Sequence, residues 1–249
     1  MKAMIFAAGL GTRLRPLTDT MPKALVPVCG QPLLHHVMER LTLAGFDDFV
    51  VNVHHFPDAI ISYLTEAEML PGRKIAVSDE RDFLRETGGG IRYARPLLEG
   101  DGGFLVHNVD ILSDADFGWL RSAVPADALA ALLVSERQTK RYLLFDPVTM
   151  RLKGWTNIET GEIRSPYPGL EPSKCRMLAY SGIQWVSGSI FGVFDKEKAG
   201  DRFPILDFYL SVCDRYPIYG LCPEKGLRLM DVGKIATLDE AGDFLTSLQ

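Results

Sequence analysis

With 249 residues, 47% of them apolar and 24% charged, the chain has the composition of a folded globular protein with a sizeable core. A formal charge of −5 argues against nucleic acid as the main partner, but a local cluster of cations can still suit a small anionic ligand. No apolar run approaches the roughly 20 residues of a membrane span, and the N-terminus reads as a strand entering a loop without the features of a secretory signal. The four cysteines, Cys29, Cys175, Cys213 and Cys222, lack CxxC spacing, which predicts free thiols and a cytoplasmic location.

In chain order, Ala3–Ala7 is an apolar run of strand length. Pro32–Ala44 places Leu33, Leu34, Val37, Leu41 and Ala44 on one helical face, with Gly45 as a stop. Strands follow at Phe49–Val53, Lys74–Val77, Phe104–His107 and Leu129–Val134, alternating with helices at Pro57–Leu70, Thr87–Leu98 and Asp114–Ser122. This alternation predicts an α/β fold whose mostly parallel sheet is flanked by helices, with ligands beyond the carboxyl ends of the strands. After Glu136 the rhythm changes. Arg141–Phe145, Leu152–Trp155 and Met177–Val186 read as β structure around the turn-rich NIETGEIRSPYPGLEPSK, which predicts a small antiparallel lobe, and Phe203–Arg215 and Ile235–Leu248 read as helices. The expected organisation is a single domain over 1–249: residues 1–135 form the α/β half, 136–230 mainly the antiparallel lobe, and 231–249 a closing aspartate and helix.

The segment after Ala7, GLGTRLRPLTDTMPKALVPV, is too long and too specialised for a plain turn. Gly9 and Gly11 permit close approach of a ligand to main-chain amides, Thr12 adds a hydroxyl, Arg13 offers a bidentate contact to phosphate, and Lys23 supplies a mobile point charge. Prolines 16, 22 and 27 stiffen the excursion. The loop does not fit a Walker motif, because Thr12-Arg13 follows Gly11, nor the dinucleotide fingerprint, because Leu14 replaces its third small residue.

The spacing Gly9-Leu10-Gly11-Thr12-Arg13-Leu14-Arg15-Pro16-Leu17-Thr18, followed by Pro22-Lys23-Ala24-Leu25-Val26-Pro27-Val28, resembles the signature of the sugar-1-phosphate nucleotidyltransferases. That resemblance implies a Rossmann-like nucleotidyltransferase fold with a mixed sheet and a small antiparallel β lobe. It implies a reaction in which an NTP and a sugar 1-phosphate give an NDP-sugar and pyrophosphate. Leu10, Gly11, Thr12, Arg13 and Lys23 are then expected at the triphosphate, with Arg13, Lys23 and Asp110 carrying catalysis.

ETGGGI, Glu86–Ile91, taken by itself is a glycine turn leading into a helix; by the resemblance Glu86, Thr87 and Gly88 line the base and ribose pocket, with the glycines letting a flat base lie against the main chain. Its wording is most like the branch that joins UTP to N-acetylmuramate 1-phosphate. Branches that join GTP to mannose or heptose 1-phosphate are close to it. LVHNVDILSD places Asp110 beyond a strand, where a lone aspartate is usually a cap; the resemblance gives Asp110 to magnesium and Asn108 to the nucleotide. Val109 stands where the family wording has glycine, and restoring glycine is expected to be tolerated unless the turn is rebuilt around valine.

LMDVGKIATLDEA places Asp231 ahead of Gly233 and a helix, where by itself it is a helix N-cap; the resemblance makes Asp231 the second carboxylate for Mg2+, a hard cation that takes oxygen ligands and keeps several waters. AYSGIQWVS resembles the sugar-facing strand, with Ser181 and Gly182 as contacts, and Arg141 or Lys153 as the cation for the sugar phosphate. His35, His36, His54 and His55 read as packing or surface residues. Two other readings stay open. One is a non-catalytic nucleotide-sugar sensor on the same fold; the other is a phosphocholine cytidylyltransferase, which needs an aromatic box from residues such as Tyr180, Trp185, Trp155 and Tyr167. Oligomeric state is not legible.

Overall fold

The computed structural model describes residues 1–65, 72–100 and 102–248. Strand β1 (Lys2–Phe6) runs into the glycine loop, which closes on a two-residue ribbon, β2 (Pro27–Val28) with β3 (Gln31–Pro32). Then come α1 (Leu33–Leu43), β4 (Asp48–Val53), α2 (Pro57–Thr65) and β5 (Lys74–Asp79). The expected extension of α2 to Leu70 lies outside the described residues. Next are α3 (Glu86–Tyr93), α4 (Arg95–Leu98), β6 (Gly103–Asn108), β7 (Ile111–Ser113), α5 (Phe117–Ser122) and β8 (Ala130–Ser135). The lobe holds β9 (Arg141–Phe145), β10 (Leu152–Asn157), β11 (Ile163–Arg164) and the long β12 (Arg176–Ser187). The chain then forms α6 (Ile190–Lys196), α7 (Ile205–Val212), β13 (Ile218–Leu221), β14 (Leu229–Asp231) and α8 (Ala236–Thr246).

Ten strands make one sheet in the order β11-β10-β9-β12-β6-β1-β4-β5, with β8 beside β12 and β13 beside β8. Strands β6, β1, β4 and β5 are mutually parallel, and β12 runs antiparallel to β6, β8 and β9. The parallel strands read as continuous apolar runs because both faces are covered. Ala3 and Ile5 of β1 face one hydrophobic cluster with α1, α2 and α5, whereas Met4 faces the other with α6 and α7.

Two differences from the sequence expectations have physical causes. The helix expected over Thr87–Leu98 is two helices, broken at Ala94, because Pro96 has no N–H to donate to Arg92 O and its ring would clash with that carbonyl, whereas it is tolerated in the first turn of a new helix. The helix expected from Asp114 starts at Phe117, since Asp116 caps it by accepting from Trp119 N at 2.8 Å, while Asp114 pairs with Arg228 at 2.8 Å. Strand β12 shifts register between Tyr180 and Gln184, which lets one strand serve both the parallel core and the lobe. Among the described residues no helix is long and apolar enough to cross a membrane.

Candidate active site

Phe6 at the end of β1 lies level with Asn108 at the end of β6 and with Asn52 on β4, so the loops leaving β1 and β6 share one crevice at the carboxyl edge of the sheet. The crevice is a cavity of about 540 Å3. Leu10, Gly11, Thr12, Arg13, Lys23, Glu86, Thr87, Asn108 and Asp110 all line it. These positions are far apart in the chain and meet only because β1, β4 and β6 are neighbours.

The glycine loop is held from beneath. Asn52 Oδ1 accepts the Ala7 amide at 2.8 Å, while its Nδ2 donates to Glu80 Oε1 at 2.8 Å. Glu80 Oε2 accepts the Arg85 amide at 3.3 Å, so this fully buried carboxylate links the loop after β1 to the start of α3. Burial pushes the Glu80 carboxyl above its usual range, against the opposing pull of those two hydrogen bonds. The sequence reading did not single out Asn52 or Glu80. The available signal was a polar residue inside the apolar strand DFVVNV.

Gly11 has φ +64, and a β-carbon there would fall 2.8 Å from Thr18 Cγ2. Thr18 in turn donates its hydroxyl to Gly11 O at 2.8 Å, which ties the first turn of the loop to the second. Arg15 points outward to Asp19 at 3.2 Å and does not line the cavity.

Lys23 is only 9% exposed, and its Nζ forms an ion pair with Asp110 Oδ2. Asp231 is brought to the same edge by the antiparallel pair β7–β14, in which it lies opposite Ile111, and by Val232 N donating to Asp110 O at 2.8 Å. Arg13 Nη2 stands 4.0 Å from Asp231 Oδ2, a loose ion pair. A β-carbon at Gly233 would lie 2.8 Å from Arg13 Nη2 and 2.6 Å from Asp231 Oδ1, so the glycine of the D-x-G wording makes room for the Arg13–Asp231 approach.

Val109 is buried in the core cluster beneath the cavity, and its amide donates to Phe6 O at 3.2 Å. It is not among the residues with positive φ, so the turn has no need of glycine and is built around the valine side chain.

The ETGGG segment differs from the expected turn. It is the first half of α3, and its glycines face protein. A β-carbon on Gly88 would fall 2.2 Å from Phe203 Cε2, and one on Gly89 would fall 2.3 Å from Asp201 O. Gly88 therefore packs on Phe203 and does not line the cavity; its amide donates to Phe203 O at 2.8 Å. Glu86 and Thr87 do line it, with Thr87 Oγ1 accepting from Ile205 N at 2.8 Å.

On β12, Ser181 is buried and donates its hydroxyl to Leu133 O at 2.7 Å, directing it into the sheet. Gly182, at φ +80, approaches Asn108: a β-carbon there would fall 2.8 Å from Asn108 Nδ2. Lys153 stands over the Tyr167 ring at 4.3 Å and lines neither this cavity nor its neighbour, whereas Arg141 lines the neighbouring one. The aromatic box is not assembled, since Trp155 and Tyr180 share a hollow that Trp185 and Tyr167 do not line.

The histidines have separate partners: His35 bonds Tyr63 Oη, His36 bonds Val28 O, His54 bonds Glu80 O and His55 bonds Thr18 O. His107, behind Asn108, is fully enclosed, and burial lowers its pKa to about 4. All four cysteines are free thiols.

Comparison with known proteins agrees with this geometry. A family model described as Nucleotidyl transferase matches residues 2–142. N-acetylmuramate alpha-1-phosphate uridylyltransferase of Caulobacter vibrioides is 47% identical over 138 residues, which cover 54% of each chain. Mannose-1-phosphate guanylyltransferase catalytic subunit beta of Xenopus tropicalis is 40% identical over 118 residues, covering 47% of this chain and 32% of that one. The matches thus span about half the length of the first of these curated relatives or less. In fold, a putative glucose-1-phosphate thymidylyltransferase from Bacillus anthracis superposes with a TM-score of 0.77 at 17% identity, over 98% of this chain and 94% of that chain. The family match covers more than half of the residues and contains the glycine loop, Lys23, ETGGG and Asp110; the chain belongs to the nucleotidyl transferase family.

Proposed function

We propose that the chain joins an NTP to a sugar 1-phosphate, releasing pyrophosphate, with UTP and N-acetylmuramate 1-phosphate as the substrates and the cytoplasm as its location. The observation that carries this reading is the convergence of loop amides, Arg13, Lys23 and Asp110 on one cavity, with Asp231 drawn to its edge. The choice of substrates is supported by the likeness to the Caulobacter uridylyltransferase and by the ETGGG wording.

In the reaction, an oxygen of the sugar phosphate attacks the α-phosphorus, a new P–O bond forms, and the bond to the β-phosphate oxygen breaks opposite it. The nucleophile is already anionic, so no side chain has to remove a proton. The protein's work is to align two anions that repel each other and to offset charge in the transition state. Arg13 and the amides around Gly11 hold the triphosphate. Thr87 and Asn108 border the rest of the nucleotide.

The donor set fits Mg2+. Asp110 and Asp231 offer hard carboxylate oxygens at one edge of the sheet, the ligand type that Mg2+ takes. When bound, the ion supplies charge neutralisation across the phosphates. Asp110 and Asp231 would hold the ion, and the Lys23 ammonium, which pairs with Asp110 at the cavity, would offset charge on the phosphate oxygens.

The test is pyrophosphate release from four NTPs against a panel of sugar 1-phosphates. UTP with N-acetylmuramate 1-phosphate is expected to turn over fastest. Asp110→Asn and Asp231→Asn are expected to lose magnesium-dependent turnover, and Lys23→Ala to lower kcat more than nucleotide affinity. No release from any pair overturns the reading. Faster turnover with GTP and mannose 1-phosphate replaces its substrates.

A further inference from the structure

Past Pro204, which belongs to both, the nucleotide cavity adjoins a second hollow of about 620 Å3 beneath the antiparallel lobe. Leu143, Leu206 and Leu210 give it apolar surface, Trp155 and Tyr180 add aromatic surface, and three arginines, Arg137, Arg141 and Arg164, line it. The three cations are not equivalent. Arg164 is engaged: it pairs with Asp207 at 2.9 Å and Glu162 at 3.6 Å, and its guanidinium lies 4.3 Å over the Trp155 ring. Arg137 makes a single hydrogen bond, from Nη2 to Tyr180 O at 3.0 Å, and has no carboxylate partner among the described residues. Arg141 opens β9 with neither an ion pair nor a hydrogen bond from its guanidinium among the described residues.

Two arginines without counter-ions on one hollow make a site for a bidentate oxyanion. The anion has a definite position relative to the chemistry. Tyr180, which anchors Arg137, precedes Gly182 by two residues on β12, roughly 7 Å of strand, and Gly182 abuts Asn108 at the nucleotide cavity. The phosphate on C1 has to stay in the first cavity with Arg13 and Lys23, so what reaches Arg137 and Arg141 is a second anionic group carried by the sugar itself. The lining charges favour a monoanion. Three guanidiniums against Glu162 and Asp207 leave a single positive charge, which matches a carboxylate and undercompensates a doubly charged phosphate.

We propose that Arg137 and Arg141 are specificity-determining residues that read a carboxylate on the sugar ring, so that the acceptor class is an acidic sugar 1-phosphate. This rests on the nucleotidyl-transfer reading above and deepens it, since N-acetylmuramate differs from N-acetylglucosamine by an ether-linked carboxylate.

The test compares binding of UDP-N-acetylmuramate and UDP-N-acetylglucosamine to the full chain by titration calorimetry, because the shared nucleotide anchors both and the acidic arm is the only difference. The wild type is expected to prefer the acidic ligand about ten-fold. The preference should fall below about three-fold in Arg141→Ala and vanish in the Arg137→Ala, Arg141→Ala double variant, with Arg141→Lys in between. It should also shrink between low and high salt, as an electrostatic contact at an open hollow does. Equal wild-type affinities, a preference retained by the double variant, or no binding of either ligand overturns the assignment. Arg141 is exposed, so its variant folds, and an unchanged urea midpoint confirms that. Failure of the catalytic reading looks different: pyrophosphate release is then absent for every substrate pair, while the calorimetric preference and its loss in the variants persist.

Discussion

Replacing Gly88 by alanine separates two roles for the ETGGG segment. Gly88 is the third residue of α3, where alanine should stabilise by up to about 1 kcal/mol through helix propensity alone. The environment opposes this. The new β-carbon would lie 2.2 and 2.4 Å from two ring atoms of Phe203 and 2.9 Å from its carbonyl oxygen. The ring is confined by Phe194 and Phe208, with centroids 5.4 and 5.7 Å away, so it has little room to turn. Overpacking of this kind costs roughly 1–3 kcal/mol, and pushing the backbones apart weakens the 2.8 Å bond from Gly88 N to Phe203 O, worth about another 1 kcal/mol. The clash and the lost bond together exceed the propensity gain, so Gly88→Ala is expected to destabilise by about 1–3 kcal/mol. Gly192→Ala, in α6 with nothing within 4 Å of the added carbon, is the control and should be neutral or stabilising. Urea unfolding of both variants reads the difference. A Gly88 variant as stable as the Gly192 variant, with weakened nucleotide binding, would refute this account and return Gly88 to the ligand.

Three other outcomes follow from the same packing. Val109→Gly removes three buried carbon groups and should lower stability by about 2–3 kcal/mol in urea melts, while turnover per folded molecule survives because Asn108 and Asp110 keep their places. Asn52→Ala leaves the buried Ala7 amide without its acceptor and Glu80 Oε1 without its donor; stability should fall by about 2–3 kcal/mol, and nucleotide affinity, measured by calorimetry, should fall with it. His107 makes stability pH-dependent. Its folded pKa of about 4 lies below the unfolded value of 6.5, so the unfolded chain binds the proton first as pH falls. Its contribution is complete above pH 6.5, shrinks by about 2 kcal/mol at pH 5, and is lost through pH 4. Urea midpoints at pH 7.5 and 5 check this against His107→Gln, whose profile should be flatter across that range.

What the sequence determined by itself is local. Short continuous apolar runs, AMIF, FVV and FLV, become the centres of the buried parallel strands, because a strand covered on both faces has no polar side to alternate with. The glycine-arginine-proline loop is legible as a candidate anion site, and Gly11, Thr12, Arg13 and Lys23 of it line the cavity.

Tertiary structure decided what depends on contact between distant segments. The glycines of ETGGG pack on Phe203 and Asp201, more than a hundred residues away, and no local pattern separates that from a turn. Asp231 reaches Asp110 only through the three-residue pairing of β7 with β14, strands too short to show a period. Ser181 and Gly182 are adjacent in sequence, yet one hydroxyl is tied into the sheet while the other backbone abuts Asn108, because the register shift in β12 decides which way each faces. The second hollow, with two arginines that have no carboxylate partner among the described residues, comes from the docking of α7 under the lobe. A charge in a sequence carries no record of whether a partner will be folded against it.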